Sequence, residues 1–122
     1  MEPVVLLYHI SPEKEEVIRQ VCRRLSVRVV TVPAVRHGCT IGEAIRGGGA
    51  DRGAKKPFAD EMLVMNLPGV LLDFFLQGLY REGADVALKA AVTPTNVSWP
   101  ADELVRELRQ ERQEILKNSA KK

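Results

Sequence analysis

The sequence predicts an α/β domain built on one four-stranded, largely parallel sheet in the order 2-1-3-4, with helices packed on it. Three observations predict it. Four short strand-forming runs alternate with helical segments along 122 residues, the size of a single domain. Two of those runs, Val4–Ile10 and Glu61–Leu67, are apolar on both faces and so belong in the middle of a covered sheet. In the two long helices, Val17, Ile18, Val21 and Cys22 match Phe75, Leu76, Leu79 and Tyr80 at a constant offset of 58, which suggests two similar βαβ halves.

The first strand runs into Ser11-Pro12 and the acidic Glu13, Glu15 and Glu16, a helix start with Ser as N-cap and Pro at the first position. Val17, Ile18, Val21, Cys22 and Leu25 form the apolar stripe of that helix, and Arg19, Arg23 and Arg24 fall on its outer side. Val27–Val32 is the second strand, which Arg28 assigns to an edge or to one wet face; Pro33 ends it. Thr40-Ile41-Gly42-Glu43 reads as a short helix with a capping box. As a crossover, that helix favours the parallel sheet over the alternative, a ferredoxin-like α+β sandwich whose second and fourth strands run antiparallel to the central pair.

Residues 47–57 hold four glycines and few apolar groups, and a mobile surface loop is expected there. Its glycines neither follow a strand nor open a helix, so no phosphate-binding or dinucleotide fingerprint is present. After the third strand, Pro68-Gly69 turns the chain into a helix from Val70 to Arg81. Leu71, Leu72, Phe74, Phe75, Leu76 and Leu79 give it a wider apolar arc than the first helix, so it is expected to be the most buried. In the fourth strand, Val86–Val92, Lys89 shares its face with Ala87 and Ala91. The last helix opens near Pro100 and carries Leu104, Val105, Leu108, Ile115 and Leu116 on one side; residues 118–122 are expected to fray. A single domain spans residues 1–122 on this reading.

A net charge of +2, with 45% hydrophobic and 28% charged residues, matches a soluble globular protein and gives no electrostatic case for nucleic acid. The apolar stretch Met62–Tyr80 is broken by Pro68-Gly69 and Asp73, so it reads as strand, turn and helix rather than a membrane span. Cys22 and Cys39 have neither metal nor disulfide-framework spacing, and with no signal peptide the expected compartment is the cytoplasm.

In the parallel arrangement the turns after His9, Asn66 and Thr93 all lie at carboxyl ends of strands, the edge where open α/β sheets bind ligands. Asn66, Lys89, Thr93, Thr95, Asn96 and Trp99 are therefore the candidate ligand-binding residues. Each also has a plainer reading. Thr, Pro and Asn are ordinary turn and cap residues, Lys89 guards a sheet edge, and Trp99 packs as a lid on the last helix. His37-x-Cys39 supplies two soft ligands where zinc needs three or four, and His9 on an apolar strand reads as structural. No nucleophile, base and orienting group can be assembled, so no catalytic residue, metal or cofactor is expected.

Leu88-Lys89-Ala90, Thr93-Pro94-Thr95-Asn96 and Trp99, followed by a helix with Leu104, Glu107 and Glu111, resemble the C-terminal hallmark of an uncharacterised bacterial family, a domain of unknown function. Thr40-Ile41-Gly42-Glu43 and Met62-Leu63-Val64 are also similar to its pattern, and Pro100 departs from it where a Ser or Thr cap is expected. The resemblance brings no activity, and implies that Lys89, Thr93, Asn96 and Trp99 are the positions to examine first. The expected function is a small cytoplasmic module that binds a small ligand or a protein partner. A homodimer or other homo-oligomeric interaction protein is the alternative, and a weak nucleic-acid binder or small enzyme ranks behind both.

Overall fold

The computed structural model describes residues 2–47 and 50–120, with side chains as far as residue 118. Gly48 and Gly49 of the expected loop and residues 121–122 of the expected tail lie outside the described residues. The chain runs β1 (Val4–Tyr8), α1 (Pro12–Arg24), β2 (Arg28–Thr31), α2 (Ile41–Ile45), β3 (Met62–Asn66), α3 (Gly69–Arg81), β4 (Leu88–Ala91) and α4 (Ala101–Ala120). Single-turn 3-10 helices at Ala34–Arg36 and Asn96–Ser98 precede α2 and α4.

The strands form one sheet in the order β2-β1-β3-β4, so the α/β class and the strand order follow the sequence reading. Every residue of β1 is buried and so are Met62 to Met65 of β3, the reason their runs are apolar without alternation. α1 and α3 cover one face, with Ile18, Val21, Cys22, Phe75 and Leu79 packed on Val5, Leu7, Leu63 and Met65. α2 and α4 cover the other, with Ile41, Ala44, Ile45, Ala101, Leu104 and Val105 on Val4, Leu6, Tyr8, Met62 and Val64. Each such fully buried aliphatic side chain stabilises the fold by roughly 1.5–3 kcal/mol.

Strand direction departs from expectation at the centre. β1 pairs with β2, and β3 with β4, in parallel, but β1 and β3 are antiparallel. The sheet is mixed, and the ferredoxin-like alternative is excluded because β2 runs with β1 and β4 with β3. The segment read as a crossover, residues 32–61, is long enough to reach either end of the sheet. Its short helix α2 packs on the sheet face beside α4, and the chain starts β3 at the end where β1 finishes, with Met62 opposite Tyr8.

This arrangement makes the two halves related by a pseudo-two-fold axis through the Leu6–Val64 pair, with Val4 opposite Asn66 at one end and Tyr8 opposite Met62 at the other. The halves repeat the same order of strand, helix, strand, 3-10 turn and helix. β3 begins 58 residues after β1, but the helices are related by 57, because the turn before α3 is one residue shorter. Ile18, Val21 and Cys22 thus correspond to Phe75, Gly78 and Leu79. Both helices end alike: Val27 N–H donates to Cys22 O and Ala84 N–H to Leu79 O, around left-handed residues Ser26 (φ 57) and Gly83 (φ 73).

α2 carries the expected capping box: Glu43 N–H donates to Thr40 Oγ1 at 3.1 Å and Thr40 N–H to Glu43 Oε1 at 2.9 Å. Ser11 caps α1 by position alone; its N–H donates to Glu61 Oε2. Residues 50–58 are tied to the body by Gly38 N–H to Arg52 O (2.7 Å), Cys39 Sγ to Ala50 O, Lys56 N–H to Asp102 Oδ2, and the buried Phe58. No described helix is long and apolar enough to cross a membrane.

Candidate functional site

Because β4 runs with β3 and against β1, Asn66 and the Thr93–Asn96 turn share one edge of the sheet and His9 lies at the other. The expected composite pocket of three turns at one edge does not form. Around Thr93 the polar groups satisfy one another. Thr93 N–H donates to Asn96 Oδ1 (2.9 Å), Asn96 N–H to Thr93 Oγ1 (3.0 Å), and Asn96 Nδ2 to Ala91 O (3.0 Å), so the buried amide of Asn96 closes its own turn. Thr95 is exposed and its carbonyl accepts from Ser98 Oγ. Trp99 packs against the α2–α4 core, and its carbonyl accepts from Ile41 N–H. Asn66 donates at 3.4 Å to Glu2 O.

Lys89 points away from this turn. Its ammonium donates to Val86 O and pairs with Asp85 at 3.4 Å, at the opposite end of β4. There it borders a groove of about 490 Å³ between α3 and β4, lined by Leu76, Leu79, Tyr80, Gly83, Ala84 and Asp85. The structure therefore separates Lys89 from Thr93, Thr95, Asn96 and Trp99, and joins it to α3 residues that the sequence reading left out.

The pseudo-symmetry shows what is unusual about this groove. In the first half the counterpart of Leu76 is Arg19, which donates to Thr31 Oγ1 (2.9 Å); Thr31 donates to Glu15 Oε1 (3.0 Å), and Arg19 and Glu15 form an ion pair, so together they strap α1 to the far end of β2. In the second half these three positions are Leu76, Ala91 and Leu72. The polar strap is gone, and an apolar surface remains beside an exposed strand. Tyr80, which corresponds to Arg23, is 90% exposed on its rim. Val70 and Phe74 also lie open on α3, so this helix is not the most buried; α2 is, with four of its five residues buried. The wide apolar arc of α3 exceeds what α1 and the sheet cover. That excess arc, with Tyr80 on it, is the sequence signal from which the groove could have been found.

A second cluster joins residues from separate segments. His37 stacks on Phe58 (centroids 4.9 Å apart), and His9 meets His37 edge-on at 4.8 Å. His9 is exposed, with φ 55, just beyond the end of β1. His37 is buried with Nε2 3.0 Å from Val32 O, and burial holds its pKa below the ordinary histidine value. The Tyr8 hydroxyl is buried with no hydrogen-bond partner among the described residues, and burial raises its pKa. Burial likewise pushes the Cys22 thiol up to about 12, which makes it a poor nucleophile at neutral pH. Cys39 Sγ faces Ala50 O, and among the described residues no group of three or more His, Cys, Asp or Glu could hold a metal ion. This cluster joins the end of β1 to the tethered segment around Phe58.

Residues 61–115 match the family model of a domain of unknown function, DUF3783. The matched span holds β3, α3, β4 and α4 as far as Ile115, so it corresponds to one of the two pseudo-symmetric halves, the half that carries the groove. No curated protein and no solved structure matches the chain.

Proposed function

We propose that the protein is a binding module whose recognition surface is the groove between α3 and β4, and that it takes a ligand or partner segment with an apolar body and an anionic group. One observation carries this reading. Arg19, which straps α1 to β2 in the first half-repeat, has as its counterpart Leu76, an apolar residue that lines the groove. An apolar floor with one polar group at its margin is the usual composition of a ligand site. Lys89 supplies the positive charge, and Asp85, whose side chain is 93% exposed, is displaced from it readily. The similarity of the Leu88–Trp99 segment to a bacterial hallmark supports a role in bacteria, and the free thiols of Cys22 and Cys39 support a cytoplasmic one.

Anilinonaphthalene sulfonate, an apolar fluorescent anion, is a direct probe. It is expected to bind with enhanced emission and to shift backbone amide NMR signals between Leu76 and Ala91. Leu76→Glu is expected to abolish binding, and Lys89→Ala to weaken it about tenfold, the loss of one charge-assisted contact. Shifts confined to the Thr93–Trp99 turn or to the His9–His37 cluster, or unchanged binding in both variants, reject the site.

A further inference from the structure

α4 is longer than the sheet it covers. Ala101, Leu104 and Val105 are buried and Leu108 is half-buried, but every residue from Arg109 to Asn118 is exposed. The apolar stripe nevertheless continues. Leu108, Ile115 and Leu116 lie on the helix face that carries Leu104 and Val105, and beyond the sheet edge no described residue covers Ile115 (66% exposed) or Leu116 (59% exposed). A groove of about 280 Å³ runs between this overhang and the start of β4 at Ala87 and Leu88. A helical end of this length gains little stability in water without packing.

The charge pattern of the overhang specifies what packs there. Leu108-Arg109-Gln110-Glu111 is followed by Arg112-Gln113-Glu114-Ile115, which is its chemical complement in reverse. Laid antiparallel about the point between Glu111 and Arg112, Leu108 meets Ile115 and Glu111 meets Arg112, while Arg109 keeps its pair with Asp60 of its own chain. Laid parallel and in register, Glu111 and Arg112 each meet their own kind, and like charges repel. The pattern therefore selects an isologous, closed, two-fold arrangement.

We infer that a second copy of this chain covers the α4 overhang, the two helices crossing antiparallel at Glu111 and Arg112. Each tip then lays Ile115 and Leu116 over its partner's half-buried Leu108 and the start of β4. The bond from Arg112 Nη1 to Ala87 O is long at 3.3 Å and gives way to the closer ion pair. This surface adjoins the α3–β4 groove at Lys89, which lines both; Leu76→Glu reads the groove alone and Arg112→Glu the helix contact alone, so failure of one proposal is distinguishable from failure of the other.

Sedimentation velocity of the full chain across a range of concentrations tests the inference, with circular dichroism as the check that each variant is folded. A monomer–dimer equilibrium is expected. Arg112→Glu is expected to weaken it about tenfold or more, because two repulsive pairs replace two attractive ones. The doubly swapped Glu111→Arg/Arg112→Glu chain is expected to return to within about threefold of the natural protein, since the pairs are restored with reversed sign. A strict monomer at the highest concentration overturns the inference. So does a dimer indifferent to Arg112→Glu, or one that the double swap fails to rescue.

Discussion

Asn96 shows how a residue type suited to ligand chemistry becomes architecture. Its carbonyl oxygen holds Thr93 N–H and its amide nitrogen holds Ala91 O, so that its side chain is buried in a turn whose Thr93, Pro94 and Thr95 are exposed. Asn96→Ala leaves both backbone groups without partners, a loss of about 1–3 kcal/mol. Urea unfolding should show the midpoint move down accordingly, and a midpoint equal to that of the natural protein would mean that the turn is held by other means. Thr40→Ala removes a cap of an ordinary kind and is expected to lose about 1 kcal/mol. Both motifs are legible in sequence to different degrees. The Thr40–Glu43 box is complete within four residues, and its spacing alone specifies two hydrogen bonds. Thr93 and Asn96 have the same local spacing, but whether their polar atoms face inward or out depends on the depth of β4 in the sheet, which their own neighbours do not encode. Lys89 stood out as a cation in an apolar strand, yet its side chain turns toward Asp85 rather than toward the turn that sequence proximity suggested.

Between elements, the contact that decides the layer on one face is α1 against α3 at Val21 and Gly78. A Cβ on Gly78 would stand 2.8 Å from Val21 Cγ1. Alanine in a helix gains about 1 kcal/mol over glycine, whereas overpacking costs about 1–3 kcal/mol. Val21 cannot turn aside easily, because a β-branched side chain in a helix has one strongly preferred rotamer. Gly78→Ala is therefore expected to destabilise the protein by about 1 kcal/mol on balance, and the same substitution in a Val21→Ala background to stabilise it, as a double-mutant cycle in urea would read. Equal effects in both backgrounds would mean that the helices do not meet there. The amphipathic pattern of each helix was visible in the sequence, since period and burial are linked locally. The one-residue difference in turn length, which aligns Val21 with Gly78 rather than Leu79, appears only once both helices lie on the sheet. For the same reason the apolar arc of α3 reads in sequence as depth. An arc states how much surface is apolar, and what lies beside the helix determines how much of it is covered.

For the whole molecule, the alternation of strands and helices and the two continuous apolar runs were enough to place β1 and β3 at the centre. Strand direction is not legible, because a run such as Val4–Tyr8 has the same pattern read either way and the long connection of residues 32–61 can reach either end of the sheet. The antiparallel centre has a consequence for stability toward acid. It brings the end of β1 beside the start of β3, so that His37 is shut in by Tyr8, Phe58 and His9 while Asp60 meets Arg109 close by. Burial holds the His37 pKa below the ordinary value; the Val32 carbonyl partly opposes this and His9 adds to it. A histidine depressed in the folded state is neutral in both states above the unfolded value of about 6.5, and contributes no pH dependence there. As pH falls through that value the unfolded chain takes up a proton that the folded chain resists, and stability is lost. The carboxylates act lower down. The Arg109 guanidinium holds Asp60, and hydrogen bonds from Thr40 hold Glu43, below the usual carboxylate range. Their stabilising effect is fully present above about pH 4 and is lost as pH falls through their folded values. Stability is thus expected to decline in two stages, the first setting in from His37 as pH falls through about 6.5 and the second from the carboxylates below about pH 4. Urea unfolding of His37→Phe separates them: the ring still stacks on Phe58, so the variant is expected to lose the first stage and keep the second. If it declines as steeply as the natural protein when pH falls through about 6.5, the proton uptake belongs to another group.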